Sequence, residues 1–147
     1  MRDAQEITIL LVEDDQSHAR LVKRNLQQSR ITNKIDIVND GQQALDYLFR
    51  EEEYAGSKLP QPLLVLLDLM IPVLDGYHVL ERIKGDIRTR HIPVIILTTV
   101  NDPQQAARCY DLGCNAYLSK PVSYEKFAHE IRNIGLFLTV VTIPSGE

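Results

Sequence analysis

The sequence predicts an α/β fold: a doubly wound, five-stranded parallel sheet with five helices. Three observations lead there. Five short apolar runs, rich in β-branched residues, are spaced along the chain, and a segment with helical periodicity follows each of them. Turn-forming and capping residues separate the two kinds of segment. Strand–helix alternation of this kind implies parallel crossovers and a sheet covered on both faces.

Ile7-Thr8-Ile9-Leu10-Leu11-Val12 is too short for a useful helix and almost continuously apolar, so it reads as a buried strand. From Asp15 to about Ser29, Ala19, Val22 and Leu26 fall on one helical face. Ile35-Asp36-Ile37-Val38 is the second strand, and Asn39-Asp40-Gly41 turns the chain into a helix marked by Ala44, Leu45 and Leu48. Tyr54 to Pro62, with Gly56, Ser57, Pro60 and Pro62, reads as a loop. Leu63-Leu64-Val65-Leu66-Leu67 is the most apolar run and therefore a central strand. Asp75 can N-cap a third helix carrying Val79, Leu80 and Ile83. Pro93-Val94-Ile95-Ile96-Leu97 is the fourth strand. Asp102-Pro103 pairs an N-cap with proline at the first helical position, opening a helix with Ala106, Ala107 and Tyr110 that ends at Gly113. Ala116-Tyr117-Leu118 is a short fifth strand, and Ser123 opens a fifth helix with Phe127, Ile131 and Ile134.

The bulk properties remove several function classes. A length of 147 residues suits one domain. The net charge of −4 argues against nonspecific nucleic-acid binding, which needs clustered cations to displace counterions. No apolar run approaches a membrane span, and Met1 to Glu6 is polar and acidic, unlike the start of a signal peptide. The expected compartment is the cytoplasm, where Cys109 and Cys114 are reduced thiols. The four histidines, His18, His78, His91 and His129, show no metal-ligand spacing.

Ligand chemistry in doubly wound sheets sits beyond the carboxyl ends of the strands. There the first strand ends in Glu13-Asp14-Asp15, the third in Asp68, the fourth in Thr98-Thr99, and the fifth is followed by Ser119-Lys120-Pro121. Carboxylates so gathered repel: two unit charges ~5 Å apart cost about 3 kcal/mol at an effective dielectric of ~20. The cluster needs a cation, and hard oxygen donors at a partly hydrated site favour Mg²⁺. Such a metal neutralises Asp68 toward an anionic phosphoryl donor, Lys120 can hold a phosphoryl oxygen, and Thr98 offers a donor once the group has arrived. Carboxylate nucleophiles that form aspartyl phosphates are an established chemical class.

At these residues the chain resembles the response-regulator receiver family of two-component systems. The matching elements are Leu11-Val12-Glu13-Asp14-Asp15, Leu67-Asp68-Leu69-Met70-Ile71-Pro72 with Asp75-Gly76, Ile96-Leu97-Thr98-Thr99, and Tyr117-Leu118-Ser119-Lys120-Pro121, in family order over nearly the whole chain. The interval from Asp14 to Asp68 is longer than usual, and the Tyr54–Pro62 loop absorbs the excess. The resemblance implies a flavodoxin-like receiver fold over 1–147, with its core at about 6–137 and an apolar tail at 138–147. It implies Asp68 as phosphoacceptor, and Glu13, Asp14, Asp68 and the Met70 backbone carbonyl as ligands of Mg²⁺ or Mn²⁺. Thr98, Thr99, Tyr117 and Lys120 become the phosphate-contacting and switch residues. Lys120-Pro121 becomes a cis peptide, and Met70 and Val100 flank the water that removes the phosphoryl group.

Single motifs carry ordinary structural readings: Glu13-Asp14-Asp15 could simply cap the first helix, and Tyr117 alone is a core or edge aromatic. The joint pattern favours the receiver over three rivals. An aspartyl-phosphate hydrolase needs a second aspartate two residues after the nucleophile, where this chain has Met70. A flavin binder needs a Ser/Thr/Gly-rich phosphate loop where this chain has three acids. A receiver-like scaffold that is never phosphorylated has no need of the full set of active groups.

The expected function is a phosphoacceptor rather than a turnover enzyme, served by a sensor histidine kinase. The long loop before Asp68, the Leu-Met-Ile-Pro segment and the apolar tail resemble stand-alone regulators of phytochrome-type kinases. Output passes to a downstream protein whose identity the sequence does not carry, with no output domain expected. The apolar stretch Leu136 to Pro144 suggests a homodimer through the helix four, strand five and helix five face.

Overall fold

A computed structural model describes residues 7–28, 33–99, 102–120 and 123–133. The elements run β1 (Thr8–Val12), α1 (Gln16–Gln28), β2 (Ile35–Val38), α2 (Gly41–Phe49), β3 (Leu63–Asp68), α3 (Gly76–Lys84), β4 (Val94–Thr98), α4 (Pro103–Asp111), β5 (Ala116–Ser119) and α5 (Tyr124–Asn133). All four strand pairings are parallel, in the order β2-β1-β3-β4-β5. The order reverses between β1 and β3, which places the topological switch point at the ends of those two strands.

Alternation along each strand divides the core into two layers. Leu10, Val12, Val65, Leu67, Val94 and Ile96 pack under α2, α3 and α4, against Ala44, Leu48, Leu80 and Ile83. Ile9, Leu11, Leu64, Leu66, Ile95 and Leu97 face α1 and α5, against Val22, Leu26 and Phe127. All six residues of β3 are buried, as a strand flanked on both edges and both faces requires.

The helix starts follow the capping chemistry. Asp40 accepts from the Gln43 amide at 2.7 Å, Asp75 from His78 at 3.0 Å, and Asp102 from Gln104 at 3.0 Å with Pro103 in the first turn. Each such cap stabilises its helix by ~1 kcal/mol. α4 gives way to a turn at Gly113, whose φ of +104° is the left-handed geometry that glycine adopts without a Cβ penalty.

One reading is corrected, and the loop before β3 gains a detail. The face of α4 that enters the core is carried by Cys109, whereas Ala107 is exposed and Tyr110 is 52% exposed. Nine residues give a helix too short for a broad apolar stripe, and the small thiol fits closest to the sheet. The segment before β3 also contains a single 3-10 turn, Glu52–Tyr54. Its extra length is pinned by Arg50, whose guanidinium donates to the Lys58 carbonyl at 2.6 Å and lies over the rings of Tyr47 and Tyr54. This loop leads into the amino end of β3, so it can vary without disturbing the carboxyl ends. Ile134, the tail at 138–147, Val100 and the Lys120-Pro121 bond lie outside the described residues.

Candidate functional site

β1 and β3 lie side by side in register, Val12 opposite Leu67. The carboxyl ends of the two strands, with Glu13 and Asp14 just past β1 and Asp68 closing β3, therefore meet. Glu13, Asp14 and Asp68 each offer a carboxylate oxygen, all within 4.8 Å of one another. Glu13 is 1% exposed and Asp68 6%, while Asp14 is open to solvent. Asp15, the third acid of the run, turns away and caps α1, accepting from the Ser17 amide at 2.8 Å and from His18 at 3.1 Å. The capping reading of this acidic run therefore holds for Asp15, while Glu13 and Asp14 are left facing Asp68.

Lys120 enters from β5. Its amide donates to the Thr98 carbonyl at 2.9 Å, which extends the β4–β5 ladder by one step and fixes where the side chain starts. The ammonium lies 2.9 Å from Asp68 Oδ2 and also pairs with Glu13 Oε1. The second Asp68 oxygen accepts from the Met70 amide at 3.1 Å. Both oxygens of Asp68 are therefore oriented.

The electrostatics follow from burial. Desolvation raises the Glu13 carboxyl above its ordinary 4.5 and the Asp68 charge adds to it, against the partial relief that Lys120 supplies. Burial alone would lower the Lys120 ammonium, but its hydrogen bonds to Glu13 and Asp68 outweigh that and hold it above 10.5. Three carboxylates facing one ammonium leave the crevice two charges negative. An all-oxygen donor set with that excess suits a hard divalent cation.

The other residues singled out from the sequence divide. Thr98 is buried at the end of β4, one strand from Asp68, while Thr99 is exposed. Met70 is 66% exposed on the β3–α3 loop beside the acceptor. Tyr117 is half-buried on β5, and its hydroxyl donates to Gln105 Oε1 of α4 at 3.2 Å. Gly76, first in α3, allows that helix to pass within reach of the acceptor strand: a Cβ there would meet the Asp68 carbonyl oxygen and Leu69 Cα, each at 2.6 Å.

Two residues at the site escaped the sequence reading. His18 places Nδ1 3.5 Å from Lys120 Nζ and 3.9 Å from Asp15 Oδ2. Its position on the first turn of α1, three residues after the capping aspartate, could have signalled it. Gln105 has no such signal, because its role depends on how α4 lies across β5.

A family model for the response regulator receiver domain matches residues 9–132. The probable methanogenesis regulatory protein FilR2 of Methanothrix harundinacea (strain 6Ac) is 43% identical over 126 residues, covering 86% of this chain and 79% of that protein. Response regulator Rcp1 of Synechocystis sp. is 38% identical over 138 residues, 93% of this chain and 92% of Rcp1. The crystal structure of the Mn²⁺-bound form of Rcp1 covers 94% of this chain and 99% of its own at a TM-score of 0.73 and 36% identity. The bacteriophytochrome response regulator AtBRR covers 99% of this chain and 100% of its own at a TM-score of 0.84 and 35% identity.

Proposed function

The chain belongs to the response regulator receiver family, and from that premise we propose that Asp68 accepts a phosphoryl group from the phosphohistidine of a sensor kinase. The observation that carries this reading is the convergence of Glu13, Asp14, Asp68 and Lys120 at the ends of β1, β3 and β5. An Asp68 carboxylate oxygen forms the bond to phosphorus as the bond to the imidazole nitrogen breaks, and the kinase histidine leaves with the electron pair. The Met70 amide and Lys120 fix the carboxylate for that attack. Lys120 then holds a phosphoryl oxygen, Thr98 donates to another, and Tyr117 follows Thr98 inward. Thr99 is the exposed neighbour of that switch.

Glu13, Asp14, Asp68 and the Met70 backbone carbonyl are the residues that hold Mg²⁺ or Mn²⁺. The crowding of three carboxylates around one ammonium supports that fit, as does the similarity to Rcp1, which has been solved with Mn²⁺ bound. When bound, the ion neutralises the acceptor and stabilises charge on the transferring group.

The protein is proposed to act in the cytoplasm as a phosphoacceptor for a phytochrome-type kinase, signalling through its own surface to a downstream protein. Near full-length similarity to Rcp1 and AtBRR supports that reading. Among the described residues no helix is long and apolar enough to cross a membrane. Self-association through the α4–β5–α5 face and the tail is part of the same proposal. Sedimentation of the full chain with and without phosphorylation tests it, and a protein that stays monomeric in both states refutes it.

Mass spectrometry after incubation with a small phosphodonor tests the acceptor. Wild type should gain one phosphoryl group only with Mg²⁺ present. An Asp68→Asn protein that takes up label as well as wild type would refute the assignment.

A further inference from the structure

α4 holds Tyr117 by its hydroxyl. The hydroxyl donates to Gln105 Oε1 at 3.2 Å. Arg108, three residues further along α4 and on the same side of the helix, lays its guanidinium 3.8 Å from the centre of the Tyr77 ring. One side of α4 therefore touches β5 through Gln105 and α3 through Arg108.

We propose that Gln105 is a positioning residue that latches Tyr117 in the unphosphorylated arrangement and ties the state of that tyrosine to the contact between α3 and α4. The inference rests on the function proposed for Asp68, in which Tyr117 moves toward Thr98 once the acceptor carries a phosphoryl group. That movement takes the phenol away from Gln105. The Tyr117–Gln105 bond then exists in one state and not in the other, which is the differential interaction that biases a two-state equilibrium. Linkage makes the effect reciprocal: what opposes the movement of Tyr117 also opposes occupation of the Asp68 site. Gln105 and Arg108 share one side of α4, so release of Tyr117 is passed along that side to the Arg108–Tyr77 contact with α3.

The test uses the full chain and beryllofluoride with Mg²⁺ as a phosphoryl mimic, with apparent affinity read from amide resonances. Loss of one neutral hydrogen bond confined to the unoccupied state should tighten binding by roughly 3–10-fold in Gln105→Ala. Tyr117→Phe removes the same bond from its other end and should tighten binding by a similar factor. The double variant should bind no tighter than either single one, because both remove one interaction. A role limited to stabilising α4 would instead leave the two effects additive. A folded Gln105→Ala whose affinity is unchanged or weaker overturns the proposal. If that variant does not fold, an unchanged affinity in Tyr117→Phe overturns it. Wild-type binding that persists in Asp68→Asn overturns the acceptor assignment instead, a separate failure.

Discussion

Replacing Lys120 by methionine should make the stability of this protein depend on a divalent cation. In wild type the ammonium sits between Glu13 and Asp68, with all three side chains almost fully buried. Methionine keeps the apolar stem and removes the charge. Two carboxylates then face each other no more than 4.8 Å apart. At an effective dielectric of ~20 their repulsion is at least about 3.5 kcal/mol, which agrees with the roughly 3–5 kcal/mol seen when one partner of a buried ion pair is deleted. Global stability of a domain this size is about 5–15 kcal/mol, so the variant should fold and be measurable. In EDTA at neutral pH its urea midpoint should fall by roughly 1–3 M.

Mg²⁺ should restore most of that loss, and should stabilise the variant more than wild type, because no ammonium competes for Glu13. The sign with pH is also fixed. Without Lys120, Glu13 loses the larger of the two groups that draw its carboxyl back toward 4.5, and keeps only the Asp15 amide. A carboxyl raised in the folded state costs stability above its folded pKa, and the cost is relieved as pH falls through that value toward 4.5. The gap between variant and wild type in EDTA should therefore narrow on acidification. Equal stability of the two proteins in EDTA, or equal gains from Mg²⁺, would refute the reasoning.

Gly76→Ala should cost about 1–3 kcal/mol and slow phosphorylation. Its Cβ would collide with backbone atoms of Asp68 and Leu69 that cannot yield without moving the acceptor; urea unfolding and phosphodonor labelling read the two effects. Asp86→Asn should flatten the acid limb of the stability profile. The hydrogen bonds from the Arg88 side chain and backbone hold the Asp86 carboxyl at about 2, below its ordinary 3.8. Its contribution is present above 3.8 and lost as pH falls through 2, so urea midpoints should converge with wild type in that window. Met70→Asn and Val100→Glu should shorten the life of the phosphorylated protein, because apolar side chains at both positions hold no water for attack. A rapid wild-type decay that neither substitution accelerates, followed by loss of label, would contradict this.

What the sequence discloses here depends on how local each cause is. Asp75 and Asp102 cap helices through amides two or three residues away, and Gly113 turns the chain by itself, so these are readable one residue at a time. The ends of β1 and β3 are nearly as local, because alternation and hydrophobic runs fix the strand bounds and parallel topology brings the ends together. Glu13, Asp14 and Asp68 are therefore legible in the chain itself. The division of labour within Glu13-Asp14-Asp15 is not, since it turns on the angle at which α1 leaves β1. Cys109 in place of Tyr110 on the buried side of α4, and Gln105 beneath Tyr117, depend on the rotation of one short helix about its own axis. Nine residues carry too weak a periodicity to determine that rotation.

The charge arithmetic of the crevice imposes an order on the proposed reaction. Glu13, Asp14 and Asp68 with Lys120 sum to two negative charges, and a phosphohistidine brings further negative charge toward Asp68. Lys120 alone cannot offset both, because its ammonium is already shared between Glu13 and Asp68. Glu13, Asp14 and Asp68 would hold a divalent cation that returns the sum to zero, and Lys120 would then be free to meet the incoming oxygens. On the proposed function the ion would therefore precede the donor. On the proposed function, Lys120 would be the counter-charge that Glu13 and Asp68 share while the acids hold no cation, and the same ammonium would serve the phosphoryl group once they do.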